Sequence, residues 1–191
     1  LYGTLLIVWL GLGLSLYAED GWFAARFSQQ AEASVGMPIR VSIPTLQIDA
    51  AIAPVGLTNN AEMDVPTSPD TVGWYKHGVM PGEQGSAVLA GHLDTMWGGP
   101  AVFWKLDDLK TGDMIDIQTA DNQTLQFRVT GLQRYPVDKA PMEQIFASAS
   151  GSQLNLITCA GSWKRKKGYA ERLVVFAERA SARELYRGTN E

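Results

Sequence analysis

Beyond residue 37, hydrophobic and polar residues alternate in short runs that are separated by turn residues. The period is two at residues 40–44 and 46–52, which predicts two short strands with one buried face each. The same period recurs at residues 114–118 and 125–129, on either side of Asp121-Asn122, a pair that is typical of a tight turn. We expect these last two runs to form a β-hairpin.

Turn residues recur through the rest of this region, and few segments have hydrophobic residues at helical intervals. A short helix is predicted at residues 141–146, where Pro141 would occupy the first turn, the one helical position that tolerates proline. Pro44 either confines the first strand to a sheet edge or ends it. Six to eight short strands with so little helix predict a mostly-β fold, a closed or nearly closed barrel.

The first 18 residues carry no charged side chain. As a helix they would span about 27 Å, close to the thickness of a bilayer core, so we predict a transmembrane anchor at 1–18 rather than a cleaved signal peptide. Residues 19–36 place aromatic residues among polar ones at helical intervals, which predicts an amphipathic helix or stalk. A globular domain at 37–180 and a C-terminal tail at 181–191 complete the predicted organisation.

Composition narrows the classes of function. With 46% hydrophobic and 19% charged residues, the chain can bury one substantial core. A net charge of −4 gives no electrostatic case for nucleic acid as a partner, and no zinc-finger or helix-turn-helix motif is present. The single cysteine, Cys159, excludes an internal disulfide and a multi-cysteine metal site. It is therefore either a small buried hydrophobe or a reactive thiol.

Three side chains with complementary chemistry lie at the ends of predicted strands. Cys159 closes the apolar run 154–159, His92 follows the run 88–91, and Arg172 begins a third run. A thiol, an imidazole and a guanidinium can serve as nucleophile, proton carrier and cation, a set that favours acyl transfer through a thioester. The interval from Cys159 to Arg172 allows a turn that returns the chain antiparallel, with the cation beside the sulfur.

Other residues near these runs have a functional and a structural interpretation. Asp94 and Thr158 are candidate substrate-binding residues. Asp94 could instead orient the imidazole of His92 or cap the following turn, and Thr158 should face away from Cys159, which favours a packing role. His77 has no strand-end context and is predicted to be a surface or packing histidine. Arg172 could instead form a salt bridge on an edge strand.

Residues 162–168 concentrate four positive charges in a chain that is acidic overall. One interpretation is a solvated hairpin tip. The other is a cluster that attracts an acidic substrate segment or an anionic lipid-linked acceptor and lowers the pKa of the thiol.

Five motifs occur in an order that is similar to that of the sortase family. In chain order they are Ile43-Pro44 with Leu46 and Ile48, then Gly91-His92-Leu93-Asp94-Thr95, then Phe103-Trp104-Lys105-Leu106 with Leu109-Lys110-Thr111-Gly112-Asp113, then Leu156-Ile157-Thr158-Cys159, and then Glu171-Arg172-Leu173-Val174-Val175. Any one of them alone is weak evidence. Together, over residues 40–178 and with family-like gaps, they are specific.

This resemblance implies an eight-stranded sortase barrel, anchored in the cell membrane by a single pass, with its catalytic domain outside the cytoplasm. Such an enzyme would cleave an LPxTG-like sorting signal of a surface protein or pilin. It would transfer the new C-terminus to an amine of a lipid-linked peptidoglycan precursor or of a pilin lysine. The short segment Gly98-Gly99-Pro100 resembles the less elaborated class E or F sortases.

The resemblance also implies roles for the three candidate residues. Cys159 would be the nucleophile, His92 the acid/base and Arg172 the electrostatic partner. No cofactor is expected, and the spacing of the carboxylates assigns no calcium site.

Two alternative functions stay open. L,D-transpeptidases also use a histidine and a cysteine on a β-rich fold, but that family keeps its cysteine in a Ser/His-Gly-x-Cys setting that is absent here. The other alternative is a non-catalytic anchored barrel that binds peptides through an exposed strand edge. The presence of Cys159, His92 and Arg172 together favours an enzyme.

Overall fold

The computed structural model describes residues 36–146, 150–165 and 168–181. No helix within these residues is long and apolar enough to cross a membrane. The predicted anchor at 1–18, all of the predicted stalk except its last residue, and the predicted tail beyond residue 181 lie outside the described residues. The chain divides into two units between Ser34 and Val35, and every described residue belongs to the second unit.

Strands make up most of this second unit. They are β1 (Pro38–Ile43), β2 (Ile48–Val55), β3 (Val72–Tyr75), β4 (Gly85–Ala90), β5 (Met114–Thr119), β6 (Thr124–Pro136), β7 (Ser152–Lys164) and β8 (Gly168–Arg179). Single 3-10 turns lie at Pro44–Leu46, Leu106–Asp108 and Val137–Lys139, and a short α-helix, α1, spans Met142–Phe146.

The eight strands close into a barrel in the order β1-β2-β3-β4-β7-β8-β6-β5. The pairs β2–β3 and β4–β7 are parallel, and the other pairs are antiparallel. Closure leaves no long unpaired strand edge in this barrel. The predicted mostly-β closed barrel of eight strands with little helix is confirmed.

Local sequence signals explain several of these elements. The predicted hairpin is β5 and β6, and the turn between them has Asn122 in the left-handed region at φ 62°, a conformation that asparagine tolerates. Pro44 ends β1 because it opens the 3-10 turn that leads into β2. The predicted helix at 141–146 is α1.

Two hydrophobic clusters hold the fold together. The larger one fills the barrel with alternate residues of each strand, such as Leu156 of β7 and Val175 of β8. The smaller one lies on the outer face of β4, β7 and β8, where Val88 and Val174 pack with Ile145 of α1. The outer face of the β7–β8 hairpin is therefore covered by α1 at the level of Val174, and its other end carries the polar residues described below.

β7 extends well beyond the apolar run that is visible in the sequence. It continues past Cys159 to Lys164, so the expectation of a strand end at the thiol is wrong. The register shifts between Ala160 and Trp163, where Gly161 takes a φ of 75° and forms a β-bulge. This φ favours glycine, and a Cβ at Gly161 would lie 3.0 Å from the side chain of Glu171, which is a tight contact. The hairpin therefore bends directly after the cysteine.

Candidate active site

Cys159 and Arg172 face each other across the β7–β8 hairpin. Their Cα atoms are register partners of the antiparallel pair, which sets both side chains on the same face of the sheet. Their chain neighbours Thr158 and Leu173 point into the barrel and are each 3% exposed, so Cys159 and Arg172 lie on the outer face, partly exposed. Arg172 Nη1 donates to the backbone oxygen of Glu171 at 3.1 Å.

The sequence also allows Arg172 to be a salt-bridge partner, for instance of Glu171 or Glu178. In the part of the chain that the structure describes, Arg172 forms no ion pair, and Glu178 pairs with Arg128 at 3.1 Å instead. The charge of the guanidinium is therefore available to a substrate.

The neighbouring strands bring two more side chains to this region. On β6, Tyr135 is the register partner of Arg172. On the other side of β7, Ala90, the last residue of β4, is the parallel register partner of Ile157. The next residue, Gly91, donates its amide to Ile157 O, so His92 follows β4 beside the part of β7 that carries Cys159. Cysteine, arginine and tyrosine thus lie at one level of β7, β8 and β6, and the histidine lies just beyond the end of β4.

The backbone on either side of His92 is fixed by specific contacts. The amide of Gly91 donates to Ile157 O at 3.0 Å, and Gly91 O accepts a hydrogen bond from Thr158 Oγ1 at 2.8 Å. A Cβ on Gly91 would lie 2.6 Å from the buried ring of Phe103. Phe103 in turn donates its amide to His92 O at 2.9 Å. The histidine is therefore held in place although it lies outside a regular strand.

One nitrogen of the imidazole is occupied within the fold. His92 Nε2 lies 2.8 Å from the carbonyl oxygen of Pro66, in the loop between β2 and β3. A carbonyl oxygen can only accept, so this hydrogen bond requires the proton on Nε2. In the neutral ring the free lone pair is then on Nδ1. Proton exchange with a substrate would accordingly run through Nδ1.

The environment of the thiol raises its pKa. Burial is the main cause, because it penalises the thiolate, and two nearby charges act in opposite directions. The guanidinium of Arg172 lowers the pKa of Cys159, and the carboxylate of Asp94 raises it. The sulfur is thus mostly protonated at neutral pH, so a base has to take its proton when it attacks a carbonyl.

Asp94 lies on a small hairpin after β4, residues 92–103, which we call the β4 arm. Asp94 pairs with Pro100 in an antiparallel bridge, and Thr95 N donates to Gly99 O at 2.8 Å. The turn at the tip of the β4 arm is therefore closed by main-chain hydrogen bonds.

Tyr169 of β8 connects the β4 arm to the β7–β8 hairpin. Its hydroxyl donates to Asp94 Oδ2, and this bond, with the negative charge of Asp94, raises the pKa of Tyr169 to about 12. Tyr169 is therefore a neutral donor at physiological pH. Tyr169 lies three residues before Arg172 on β8, and the β4 arm starts beside Ile157 and Thr158, so the Asp94–Tyr169 bond joins the two chain segments next to Cys159.

The structure brings Cys159, His92, Arg172 and Asp94 to one end of the β7–β8 face, and it places Thr158 behind them. The Thr158 hydroxyl is used inside the fold, on the carbonyl of Gly91, and its side chain faces away from Cys159 as predicted.

His77 is an exposed residue after β3. Its ring meets that of Tyr75 edge-on, with 5.8 Å between the centroids. This position agrees with the surface or packing role that the sequence predicts.

Sequence analysis missed Pro66 and Tyr169. Pro66 contributes its backbone carbonyl, which leaves no signal in a sequence. Tyr169 had a weak signal, since a tyrosine on the strand of Arg172 can place a hydroxyl near that residue. Its partner could not be foreseen, because the pairing depends on where the β4 arm folds.

Two surface clefts of about 340 and 400 Å³ lie elsewhere on the barrel, around the 3-10 turn at Pro44–Leu46. Neither is lined by Cys159, His92 or Arg172. Among the described residues, no group of three or more His, Cys, Asp or Glu side chains could hold a metal ion. The side chains of the site itself can supply nucleophilic attack by sulfur, proton transfer and a fixed cation.

Comparison with known families decides which family the barrel belongs to. The family model of the sortase domain matches residues 41–180 of the chain. The chain belongs to the sortase family. The resemblance inferred from the five motifs is thereby confirmed, and the barrel is that of a sortase, a family of cysteine transpeptidases.

Solved sortase structures share the fold of this sortase at low sequence identity. Sortase A from Corynebacterium diphtheriae is 22% identical, with a TM-score of 0.60 over 85% of this chain and 70% of that one. Sortase C-1 from Actinomyces oris is 21% identical, with a TM-score of 0.60 over 87% of this chain and 86% of that one. Sortase C from Clostridium perfringens SM101 is 21% identical, with a TM-score of 0.57 over 77% of this chain and 72% of that one. No curated protein matches the chain by sequence.

Proposed function

We propose that this sortase is a membrane-anchored, extracytoplasmic transpeptidase that cleaves an LPxTG-like sorting signal through a thioester on Cys159. The observation that carries the proposal is the pairing of Cys159 with Arg172 across β7 and β8, with His92 just beyond the end of β4, the strand on the other side of β7. The thiol thus has a guanidinium on one side and the imidazole of the β4 arm on the other. A nucleophile, a proton carrier and a cation are the three groups that acyl transfer through sulfur requires.

In the first half of the reaction, Cys159 Sγ attacks the scissile carbonyl carbon of the donor peptide, and Nδ1 of His92 takes the thiol proton. The peptide C–N bond then breaks, the leaving amine takes that proton from His92, and the acyl group stays on sulfur. In the second half, an amine attacks the thioester and the C–S bond breaks. His92 acts as the base for this attack, so one imidazole serves both halves.

Arg172 stabilises the negative charge that develops on the carbonyl oxygen. Its guanidinium stays protonated and cannot act as a base, which suits an oxyanion partner. The same charge lowers the pKa of Cys159 and partly offsets the effect of burial. Thr158 contributes indirectly, because its hydrogen bond to the carbonyl of Gly91 positions the residue that precedes His92.

The donors we propose are surface proteins or pilins with a C-terminal LPxTG-like signal. The acceptor is an amine of a lipid-linked peptidoglycan precursor or of a pilin lysine. One structural neighbour is the Group B Streptococcus Pilus Island 1 sortase C2, whose name associates that enzyme with a pilus. The apolar residues 1–18 support a single-pass anchor that holds the catalytic domain outside the cytoplasm. A class E or F subtype is part of this proposal.

Intact-mass analysis with a library of LPxTG-like peptides tests the function. The full chain should gain a peptide-derived mass that an added amine releases, and the Cys159→Ala variant should gain none. Cleavage that persists in Cys159→Ala would overturn the role of the thiol. Peptide binding without any adduct or cleavage would favour a non-catalytic barrel.

A further inference from the structure

Two opposite charges act on the thiol of Cys159, and only one of them helps it to react. Arg172 favours the thiolate, whereas Asp94 opposes it. A carboxylate beside a cysteine nucleophile lowers the fraction of reactive sulfur, so the role of Asp94 is not to activate Cys159.

Contacts within the β4 arm and a contact from β8 hold Asp94 in place. The β4 arm fixes its backbone opposite Pro100, and the Tyr169 hydroxyl donates to Oδ2. Oδ1 has no hydrogen bond to another residue that the structure describes. The side chain is partly exposed, so this oxygen can accept a proton donor from a bound molecule.

We propose that Asp94 and Tyr169 form the subsite for the acceptor amine, where the Asp94 carboxylate binds the acceptor as its ammonium ion beside the Cys159 thioester. This inference rests on the proposed function and names the group that recognises the second substrate. Primary amines are mostly protonated at neutral pH, and a carboxylate concentrates such cations near itself.

The two charges then serve the two substrates of one reaction. Arg172 faces the carbonyl oxygen of the acyl donor, which becomes negative, and Asp94 faces the acceptor nitrogen, which arrives positive. Tyr169 keeps the carboxylate directed at the site and, as a neutral phenol, adds no competing charge.

The transfer step balances in atoms and charge. The ammonium loses one proton to Nδ1 of His92, its nitrogen attacks the thioester carbon, the C–N bond forms and the C–S bond breaks. The sulfur leaves as a thiolate and takes the proton held on Nδ1 of His92, which returns the imidazole to its neutral form, and the second proton lost by nitrogen passes to water. The products are an amide and the free thiol, with no oxidant or reductant involved.

An activated ester tests the subsite without a sorting signal. p-Nitrophenyl acetate acylates the thiol of the full chain, excess ester is removed, and loss of the acetyl group is followed by intact mass. Triglycine serves as the mainly cationic acceptor and hydroxylamine as the neutral one, each at a pH of about 7, above the ordinary pKa of a carboxyl group and below that of an α-amino group. The measured quantity is the ratio of the two second-order rate constants, which does not depend on how much enzyme is active.

Asp94→Asn should lower this ratio about fivefold, since a partly exposed ion pair of this kind contributes roughly that factor in binding. The same variant should be alkylated faster by iodoacetamide at the same pH, because the carboxylate that raises the pKa of Cys159 is gone. Tyr169→Phe should keep most of the preference for triglycine, since the charge of Asp94 remains. Asp108→Asn, an exposed carboxylate on a distant 3-10 turn, is the matched control and should change neither quantity.

The outcomes separate the two proposals. If no acetyl adduct depends on Cys159, the proposed function and the subsite both fail. If the adduct forms and Asp94→Asn leaves the ratio unchanged, only the subsite fails. If Asp94→Asn slows alkylation together with both acceptors, Asp94 is a structural residue of the β4 arm and the subsite is refuted.

Discussion

The β7–β8 hairpin and the β4 arm each carry part of the proposed site, but their backbones are fixed in different ways. Cys159 and Arg172 lie within long paired strands, where the ladder of main-chain hydrogen bonds sets their positions. His92 and Asp94 lie on a short arm outside the barrel, and single contacts to Pro66, Thr158 and Tyr169 hold them.

This difference separates the roles of the two regions. The nucleophile and its cation depend on the fold as a whole, so the loss of one neighbouring contact does not displace them. The acid/base and the carboxylate depend on a few identifiable hydrogen bonds, and those from the side chains of Thr158 and Tyr169 can each be removed by one substitution. Substitutions in the two regions should therefore have different consequences.

Arg172→Ala should reduce the rate of acylation by about 10²–10³-fold, because it removes the cation that faces the developing oxyanion. Arg172→Lys is the matched control, and it should recover only part of this loss because an ammonium lacks the planar guanidinium fork. The rate of acetyl-adduct formation measures both variants. A loss of less than about threefold in Arg172→Ala would exclude an oxyanion role.

Gly161→Ala should destabilise the fold by about 2 kcal/mol, since alanine is strained at φ 75° and its Cβ would press on Glu171. Denaturant unfolding measures this cost. Gly151→Ala is the control, because no atom lies within 4 Å of a Cβ at that position. Equal unfolding midpoints for the two variants would show that the bulge does not constrain the hairpin.

Thr158→Val should cost about 1 kcal/mol of stability, because the shape is kept while the carbonyl of Gly91 loses its donor. The turnover rate should fall severalfold through displacement of His92, with the alkylation rate of Cys159 unchanged. Thr130→Val, which removes an exposed hydroxyl bonded to Phe176 O, is the matched control. If alkylation of Cys159 slowed as much as turnover, Thr158 would act on β7 and not on the β4 arm.

The pH dependence of alkylation should show the raised pKa of Cys159 directly. A raised pKa keeps the thiol protonated over a wider range, so the rate with iodoacetamide should climb at higher pH than for an ordinary cysteine. Arg172→Ala should move this profile further up. This further rise in the pKa of Cys159 should be moderate, because the guanidinium of Arg172 is partly exposed and solvent screens its charge. A profile centred below that of a free cysteine would contradict the burial effect.

Substitution of Met96 and Trp97 by serine should change stability by less than about 0.5 kcal/mol. Both side chains lie at the tip of the β4 arm and are 89% and 90% exposed, so neither contributes to a core. Thermal unfolding of the double variant measures this. A larger loss would mean that the tip of the β4 arm supports the barrel.

Much of the barrel could be predicted from the sequence because one face of most strands is buried. Alternation at β1, β2, β5 and β6 follows directly from that burial. The last part of β7 gives no such signal, because residues 161–165 are all exposed. A strand without a buried face has no alternation to reveal it.

In the candidate site, too, some residues give a signal in the sequence and others do not. Cys159, His92 and Arg172 are predictable because reactive side chains next to apolar runs are visible in a sequence. The carbonyl of Pro66 and the partner of Tyr169 could not be predicted, since both contacts join residues that are far apart in the chain.

The closed turn of the β4 arm also bears on how such an enzyme could be re-engineered. Thr95 and Gly99 bond to each other across the tip, so the three residues between them form a self-contained bridge. Met96 and Trp97 are exposed at this tip, so other side chains can take their places while the bonds that close the turn are kept. The β4 arm therefore offers two positions where new recognition side chains can be introduced without redesign of the barrel.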